Sequence, residues 1–261
     1  MELSLKGKTA LICGSTQGIG LATAKELALL GAECVLLARN KESLQTAVES
    51  LATEHLQEHS YLIADFRDTK QVEDAIKEIT NRRAVHILVN NTGGPKGGPL
   101  IDADIHEFTD TFQQHLVCNH ILVQAVISGM TAAGYGRIIN IISTSVKTPL
   151  KNLGVSNTVR WAVASWAKTL AGELAPYGIT VNNVLPGSTN TGRLDSLMMS
   201  MAARRNTSLN TIEEELLSEI PMKRFGDPKE IAAAVAFLAT PAAGYITGIN
   251  LTVDGGKTPV L

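Results

Sequence analysis

The regular alternation of short apolar runs with longer helical segments constrains the fold of this chain more than any other feature. Seven runs rich in Val, Ile and Leu predict strands near 8–13, 33–38, 60–64, 86–90, 136–142, 179–185 and 249–253. The segments between them have helical periodicity and predict helices near 18–30, 41–55, 69–80, 105–133, 154–175 and 228–239. Strands that are apolar along their whole length are buried on both faces. The pattern therefore predicts an α/β fold, a doubly wound parallel sheet of about seven strands with helices on both faces.

The length favours one domain with a single insertion. The 261 residues, 44% of them hydrophobic, can bury one large core, so we expect a single domain over 1–261. The segment 191–227 follows the sixth predicted strand, ends near Asp227 and includes five apolar residues: Leu194, Leu197, Met198, Met199 and Met201. A long insertion after the carboxyl end of a strand is typical of a mobile substrate lid. A helical excursion packed on the core is the alternative.

A glycine-rich turn connects the first predicted strand to the first predicted helix. It comprises Gly14, Ser15, Thr16, Gln17, Gly18, Ile19 and Gly20. Glycine is required where the backbone must approach a pyrophosphate without a Cβ, and the N–H groups at the start of a helix attract phosphate. In this place in a βαβ series, the turn predicts a Rossmann-type dinucleotide site.

The end of the second predicted strand indicates which dinucleotide binds. Sites that favour NAD(H) usually have an acidic side chain there, which bonds the ribose hydroxyls and repels a 2′-phosphate. Here the strand leads into Arg39 and Asn40, with no carboxylate. A guanidinium can hold a phosphate through two N–H groups, so we expect NADP(H) in preference to NAD(H). An exposed arginine without this role is the alternative.

Charge and composition argue against several classes of partner. The formal net charge is −2, with 23 basic and 25 acidic residues and no basic run, so we expect no nucleic-acid binding. No stretch is expected to reach the roughly 18 apolar residues of a membrane span, and residues 1–6 lack an apolar leader. The three cysteines match no disulfide framework, and the histidines show no ligand spacing. We therefore expect a cytoplasmic protein without a metal site.

Motifs along almost the whole chain carry a family resemblance. They are the glycine turn, Asn90-Asn91-Thr92-Gly93, the run 136–140 leading to Ser143, the run 173–179, Pro186-Gly187, and the runs 245–248 and 253–256. On these motifs the chain resembles the short-chain dehydrogenase/reductase family, particularly members similar to 3-oxoacyl-acyl-carrier-protein reductase. The resemblance implies an NADP(H)-dependent oxidoreductase of a small carbonyl or hydroxyl substrate, with acyl thioesters among the candidates.

The resemblance also implies where the parts of the cofactor would lie. Asp65, followed by Phe66, would lie at the adenine. The adenine ribose side would be supported by Asn91, Thr92 and Gly93. The nicotinamide would pack near Pro186, Gly187 and Thr191.

The chain departs from the family pattern at three of the four catalytic positions. The family uses an Asn, a Ser, and a Tyr followed four residues later by a Lys. Counting from the flanking motifs, the Asn position falls on His115, and the Tyr and Lys positions fall on Ser156 and Arg160; Ser143 is retained. Residues 156 and 160 are one helical turn apart, so both can face one cleft.

These replacements change the expected chemistry. A serine hydroxyl has a pKa far above that of a phenol, so Ser156 is a poor general acid, at a cost on the order of 10²–10⁴ in rate. Arg160 stays charged and can bond the nicotinamide ribose or a substrate carboxylate or phosphate. We interpret His115 as acid, base or relay, with Ser143 polarising the substrate, because histidine ordinarily exchanges protons near neutral pH. A histidine satisfied within the helix bundle is the alternative.

Three functions stay open on the sequence. The first is an NADP(H)-dependent oxidoreductase with an altered proton-transfer apparatus. The second is a non-redox protein that keeps the nucleotide pocket as a sensor or a partner-binding module. The third is dehydration or isomerisation on the same scaffold. The broad apolar faces of the helices near 105–133 and 154–175 also predict a homodimer or homotetramer.

Overall fold

The computed structural model describes residues 1–260 and contains a seven-stranded sheet. The strand order is β3-β2-β1-β4-β5-β6-β7, and every neighbouring pair is parallel. The strands are β1 (Thr9–Cys13), β2 (Glu33–Ala38), β3 (Ser60–Ile63), β4 (Ile87–Asn90), β5 (Gly136–Ile141), β6 (Ile179–Pro186) and β7 (Asn250–Val253). The predicted doubly wound parallel sheet is confirmed, and each strand matches its predicted bounds to within one residue.

Helices cover both faces of the sheet. They are α1 (Gly18–Leu29), α2 (Lys41–Glu49), α3 (Thr69–Thr80), α4 (Ile105–Phe112), α5 (Cys118–Ala133), α6 (Gly154–Leu174), α7 (Gly192–Arg205), α8 (Leu209–Ser218) and α9 (Pro228–Ala239). α2 is shorter than the predicted 41–55. Beyond it Leu51 is buried, and the side chain of Gln57 donates to the carbonyl oxygen of Ala28 in α1 at 2.7 Å. This hydrogen bond holds the chain that follows α2 against α1.

The predicted helix near 105–133 is one helical stretch. A π turn at Gln113–Val117 joins α4 to α5 without a break. By length and composition these 29 residues could cross a membrane, and 33% of their most apolar window is buried. The expectation that no segment reaches that limit is therefore wrong, because the helix predicted near 105–133 is apolar enough as well as long enough. The inner face of α5 packs in the core through residues such as Leu122 and Val126, and core helices of soluble proteins pass the same test of length and composition.

The core lies in two layers, one on each face of the sheet. Successive strand residues point to opposite faces, so Leu11 and Val35 join the layer under α3, α5 and α6, whereas Ile12 and Leu36 join the layer under α1, α2 and α9. Both faces are therefore covered. The carboxyl edge of the strands is where a fold of this kind binds its ligands.

A ladder of four asparagines crosses the carboxyl half of the sheet. Asn90 donates to Asn140 at 2.8 Å, Asn140 to Asn183 at 2.9 Å, and Asn183 to Asn250 at 2.8 Å. The four residues are register partners on β4, β5, β6 and β7. Their amides pair along the sheet and fix the alignment of these strands.

Candidate active site

The glycine turn leaves no room for side chains at the end of β1. Gly14 and Gly18 have φ angles of 57° and 55°, which L side chains rarely adopt. A Cβ on Gly14 would lie 2.7 Å from the carbonyl oxygen of Asn91, and one on Gly20 would collide with the carbonyl oxygen of Gly14. The turn therefore brings α1, β1 and the end of β4 closer together than residues with a Cβ permit.

Asn91 ties the two central strands together at this point. Its Nδ2 donates to the carbonyl oxygens of Cys13 at 3.2 Å and Gly14 at 3.1 Å. β1 and β4 are neighbours where the strand order reverses. In open α/β sheets a crevice forms at such a reversal, outside the carboxyl ends of the strands.

The helix that follows the turn begins without a side-chain cap. Gln17, the residue before α1, accepts no N–H from the first turn, and that turn holds no acidic residue. Helices α6 and α7 also start uncapped, at Leu153 and Thr191, whereas α2, α3, α4, α8 and α9 all have capping side chains. The buried Ser15 hydroxyl likewise has no partner. Unpaired N–H groups and the positive end of α1 suit a phosphate, so the turn fits a pyrophosphate.

A cavity of about 640 Å³ opens at this edge of the sheet, and the uncapped starts of α1, α6 and α7 reach it. Thirteen of the predicted site residues line it: Gly14, Gln17, Gly18, Ile19, Asn91, Thr92, Gly93, Ser143, Ser156, Arg160, Pro186, Gly187 and Thr191. Eight others do not: Ser15, Thr16, Gly20, Arg39, Asn40, Asp65, Phe66 and His115. The structure thus brings the glycine turn and three of the four predicted catalytic residues to one cavity.

The residues predicted for the adenosine end lie after β2 and β3, and most have protein partners. Asn40 caps α2 by accepting the N–H of Ser43 at 2.7 Å, and the carbonyl oxygen of buried Phe66 accepts the thiol of Cys118. Asp65 is held by two N–H groups of Arg67, which lowers the pKa of that carboxyl below its usual value. Arg39 is exposed, and its charge also lowers the pKa of Asp65.

Ser156 and Arg160 form a hydrogen-bonded pair at the start of α6. Arg160 Nε donates to Ser156 Oγ at 3.2 Å, and Nη1 donates to the carbonyl oxygen of Ile141 at 3.2 Å. Burial, with a smaller contribution from Arg193, lowers the pKa of Arg160 to about 10. The guanidinium therefore stays charged at neutral pH and polarises the hydroxyl of Ser156.

Ser143 lies just beyond the end of β5 and lines the same cavity as this pair. Its Oγ accepts the backbone N–H of Ser145 at 3.1 Å and so caps the short turn Thr144–Val146. An oxygen that already accepts this bond has its own hydrogen to donate. Ser143 can therefore donate a hydrogen bond from the cavity wall.

His115 lies in the π turn, buried behind the loop that follows β4. One ring nitrogen, Nε2, lies 3.1 Å from the carbonyl oxygen of Gly93, which lines the cavity. Burial first, and the charge of Arg160 second, hold the pKa of His115 well below its usual value near 6.5. A neutral ring that donates to Gly93 fits this setting, so the predicted proton transfer by His115 is disfavoured near neutral pH.

Comparison with known proteins agrees with this site. The sequence profile of a family described as enoyl-(acyl carrier protein) reductase matches residues 14–258. The chain is 32% identical over 252 residues to the NADPH-dependent reductase BacG of Bacillus subtilis, covering 96% of this chain and 97% of that one. It is 35% identical over 257 residues to the 3-oxoacyl-[acyl-carrier-protein] reductase FabG of Vibrio cholerae, covering 97% and 98%. The chain belongs to the short-chain dehydrogenase/reductase family.

A solved structure supports the same assignment in three dimensions. L-sorbose reductase from Gluconobacter frateurii, crystallised with NADPH and L-sorbose, superimposes with a TM-score of 0.92 at 28% identity, over 100% of both chains. The predicted family is therefore confirmed, and its fold extends over the whole chain.

Two charged residues of this short-chain dehydrogenase/reductase site were not predicted from the sequence. Arg193, the second residue of α7, lines the cavity, lies over Gly94 and donates to the carbonyl oxygen of Pro95 at 2.6 Å. Arg67 holds Asp65. A basic residue just after Thr191, where a strand leads into the insertion, was the available signal for Arg193. Throughout residues 1–260, no group of three or more His, Cys, Asp or Glu side chains could hold a metal ion.

Proposed function

We propose that the protein is an NADP(H)-dependent reductase that converts a small carbonyl substrate into its hydroxyl product. One observation carries the proposal. The hydrogen-bonded Ser156–Arg160 pair lines the same cavity as Ser143 and the glycine turn, so donors for a carbonyl oxygen lie beside a nucleotide cradle. Several relatives are reductases by name, BacG and FabG among them.

Most of the residues proposed to bind the cofactor line this cavity, and Arg39 lies outside it. The first N–H groups of α1 would hold the pyrophosphate, and Pro186, Gly187 and Thr191 would pack near the nicotinamide. Arg160 would also donate to the nicotinamide ribose. Arg39 would hold the 2′-phosphate, in line with the NADPH named for BacG and bound in L-sorbose reductase. When bound, the reduced nicotinamide supplies a hydride to the substrate carbon.

The chain's own residues stabilise the negative charge that develops on the substrate oxygen. Ser143 and Ser156 donate hydrogen bonds to that oxygen, and Arg160 strengthens the second donor and adds a positive charge behind it. Removing one such donor costs on the order of 10²–10³ in kcat. The product alkoxide takes its proton from solvent water, and the hydroxide so formed leaves to bulk solvent, while both serines stay neutral hydrogen-bond donors.

His115 then has a positioning role. Its neutral ring holds the carbonyl oxygen of Gly93 and so fixes the loop after β4 that lines the cavity. Proton relay through His115 remains a prediction, and its lowered pKa counts against it.

The segment 191–227 serves as the lid of this single domain in the proposal. It contains α7 and α8, and Leu194 and Leu197 of α7 line the cavity together with Leu150 and Leu153. These four leucines suit an apolar part of the substrate. A homodimer or homotetramer is also expected, since Phe112 and Val117 on the long helix are exposed. Light scattering of the purified protein tests this expectation.

A non-redox nucleotide-binding protein is the second candidate, and one observation favours it. In the described part of the chain no tyrosine lines the cavity, so the phenol that the family uses as its proton donor is missing there. A sensor of this kind would bind NADPH and turn nothing over.

The deciding experiment combines binding with turnover. NADPH binding is measured by fluorescence, and oxidation of NADPH is followed by absorbance with ketones, 3-oxoacyl thioesters and quinones. We expect tight binding, a preference for NADPH over NADH, and turnover of at least one substrate that falls on the order of 10²-fold in Ser143→Ala. Binding without turnover across the panel would support the sensor instead. The double variant Ser156→Tyr with Arg160→Lys shows whether the scaffold still accepts the family's usual chemistry.

A further inference from the structure

Two arginines face the cavity without a carboxylate to neutralise them. Arg160 is 9% exposed, and Arg193, which is more exposed, lies over Gly94 in the lining of the same cavity. Within residues 1–260 neither forms an ion pair, whereas Arg67, Arg205 and Arg224 each pair with a nearby carboxylate. A buried charge is usually paired, so Arg160 lacks the partner that proteins ordinarily supply; Arg193 is exposed to solvent at the cavity and is likewise without a carboxylate partner.

The hydrogen bonds of the two guanidinium groups go to neutral acceptors. Arg160 donates to Ser156 Oγ and the carbonyl oxygen of Ile141, and Arg193 donates to the carbonyl oxygen of Pro95. These contacts orient both groups but leave their charges uncompensated. The charge of Arg193 reaches Arg160 and helps lower its pKa, and both arginines lower the pKa of His115. Arg160, Arg193 and His115 therefore interact electrostatically with one another. A bound anion would stabilise the positive charges of the two arginines.

The acidic residues of the cavity lie elsewhere on its lining. They are Glu26, in α1, and Asp227, at the start of α9. The carboxylate of Asp227 is already used to cap α9, where it accepts the N–H of Lys229 at 2.8 Å. Among the described residues, neither of these carboxylates forms an ion pair with Arg160 or Arg193.

The negative charges of the cofactor have their own binding elements. The glycine turn and the start of α1 suit the pyrophosphate, and Arg39 stands where a 2′-phosphate is expected. We propose that Arg193, with Arg160, binds a carboxylate of the substrate, so that the protein reduces oxo acids rather than neutral ketones. This inference rests on the proposed function. Planar guanidinium groups bind carboxylates through paired hydrogen bonds, which fixes the orientation of the carbonyl beside the serines.

Matched substrates test the inference. Turnover of 2-oxo, 4-oxo and 5-oxo carboxylic acids with NADPH is compared with that of their methyl esters, which have the same carbonyl and no charge. We expect kcat/KM to favour one of the acids by about 30-fold or more, the size of a charge-assisted hydrogen-bonded pair. In Arg193→Gln this preference should fall to within about threefold, with the dissociation constant of NADPH changed by less than about twofold.

Arg204→Gln is the matched control, because Arg204 lies on the same helix but does not line the cavity. It should keep the preference for the acid. The inference is overturned if acids and esters are turned over equally by the natural protein, or if Arg193→Gln weakens NADPH binding and leaves the preference intact.

A second measurement separates this inference from the proposed function. If no compound oxidises NADPH, the reductase proposal fails, and binding of the same acids and esters to the protein–NADP⁺ complex is measured by calorimetry. Binding of an acid that its ester and Arg193→Gln both lose supports the anion site on its own. Equal binding of acid and ester, or no binding of either, overturns it.

Discussion

The glycine turn and the Ser156–Arg160 pair line the same cavity but depend on the sequence in different ways. At the turn, function rests on the backbone, since a Cβ at Gly14 or Gly20 would overlap neighbouring atoms. On α6, function rests on side chains that project from a helix whose packing is supplied by others, such as Val159 and Val163. A chain can therefore exchange its catalytic groups and keep its nucleotide cradle. The difference would explain how the glycine turn can be kept where, by the family resemblance, Ser156 and Arg160 stand in the positions of a Tyr and a Lys.

The largest expected effect is on the backbone side of this comparison. Gly20→Ala should abolish NADPH binding, raising the dissociation constant more than about 100-fold, and lower the free energy of unfolding by about 1–3 kcal/mol because its Cβ meets the carbonyl oxygen of Gly14. Titration with NADPH and urea unfolding measure the two effects. Gly172→Ala in α6 is the control; a Cβ there has open space, so the variant should gain about 0.5–1 kcal/mol. Normal binding by Gly20→Ala would show that the cradle tolerates side chains.

The next largest effect is expected at the Ser156–Arg160 pair on α6. Arg160→Gln should leave the fold intact and lower kcat on the order of 10²-fold, because the positive charge next to Ser156 is lost. Steady-state kinetics on a substrate found in the panel measure the change. Thr158→Ala on the same helix, with an exposed hydroxyl bonded to the carbonyl oxygen of Gly154, should change kcat less than about twofold. A similarly small change in Arg160→Gln would refute its role in stabilising the oxyanion.

A cap added to α1 sharpens the comparison further. Gln17→Asp should stabilise the protein without ligand by about 0.5–1 kcal/mol, since it supplies the missing cap. It should also weaken NADPH binding about tenfold, because its carboxylate competes with the pyrophosphate. Asp104→Ala, which removes the cap of α4, should cost about 1 kcal/mol and leave NADPH binding unchanged. Unaltered binding by Gln17→Asp would mean that the pyrophosphate does not rest on α1.

The smallest expected effect is a pH dependence of stability. The pKa of His115 is lowered in the folded protein, so between that value and about 6.5 the unfolded chain binds one more proton. Stability is therefore complete above pH ~6.5 and falls as pH drops below it, by up to about 1.4 kcal/mol per pH unit.

Urea unfolding between pH 5 and 8 compares the natural protein with His115→Gln. The difference in unfolding free energy should be constant above neutrality and should move in favour of the variant in acid. His86, whose pKa is also lowered, is present in both proteins and cancels. If the unfolding free energies of the two proteins differ by the same amount at every pH from 5 to 8, His115 is not a buried neutral residue.

The parts of the molecule that local sequence determines were predicted well. The strands were predicted from apolar runs. The glycine turn was predicted because a close strand-to-helix connection requires glycine at positions such as Gly14 and Gly20. Features of the fold that depend on residues distant in the sequence were predicted less well. The end of α2 at Glu49 is one example, since contacts such as that of Gln57 with Ala28 hold the chain that follows it; the helix near 105–133 was predicted as one stretch, but not its apolar length.

The same distinction applies to the site residues. Ser143, Ser156 and Arg160 were located by their distance from neighbouring motifs, and the structure places all three at the cavity. Arg193 was missed because only the folding of the insertion after β6 brings it there. The lowered pKa of His115 was missed because it arises from burial and from Arg160, neither of which can be read from the residues around position 115.

The asparagine ladder holds β4, β5, β6 and β7 in one alignment. A shift of β4, β5 or β6 by a single residue would turn its buried asparagine to the other face and leave its amide unpaired in an apolar layer. Sliding between these strands is therefore blocked, whatever α7 and α8 do above them. If the segment 191–227 is the lid proposed above, movement of α7 and α8 would accommodate substrates of different shapes, while β5 would keep Ser143 in a fixed position.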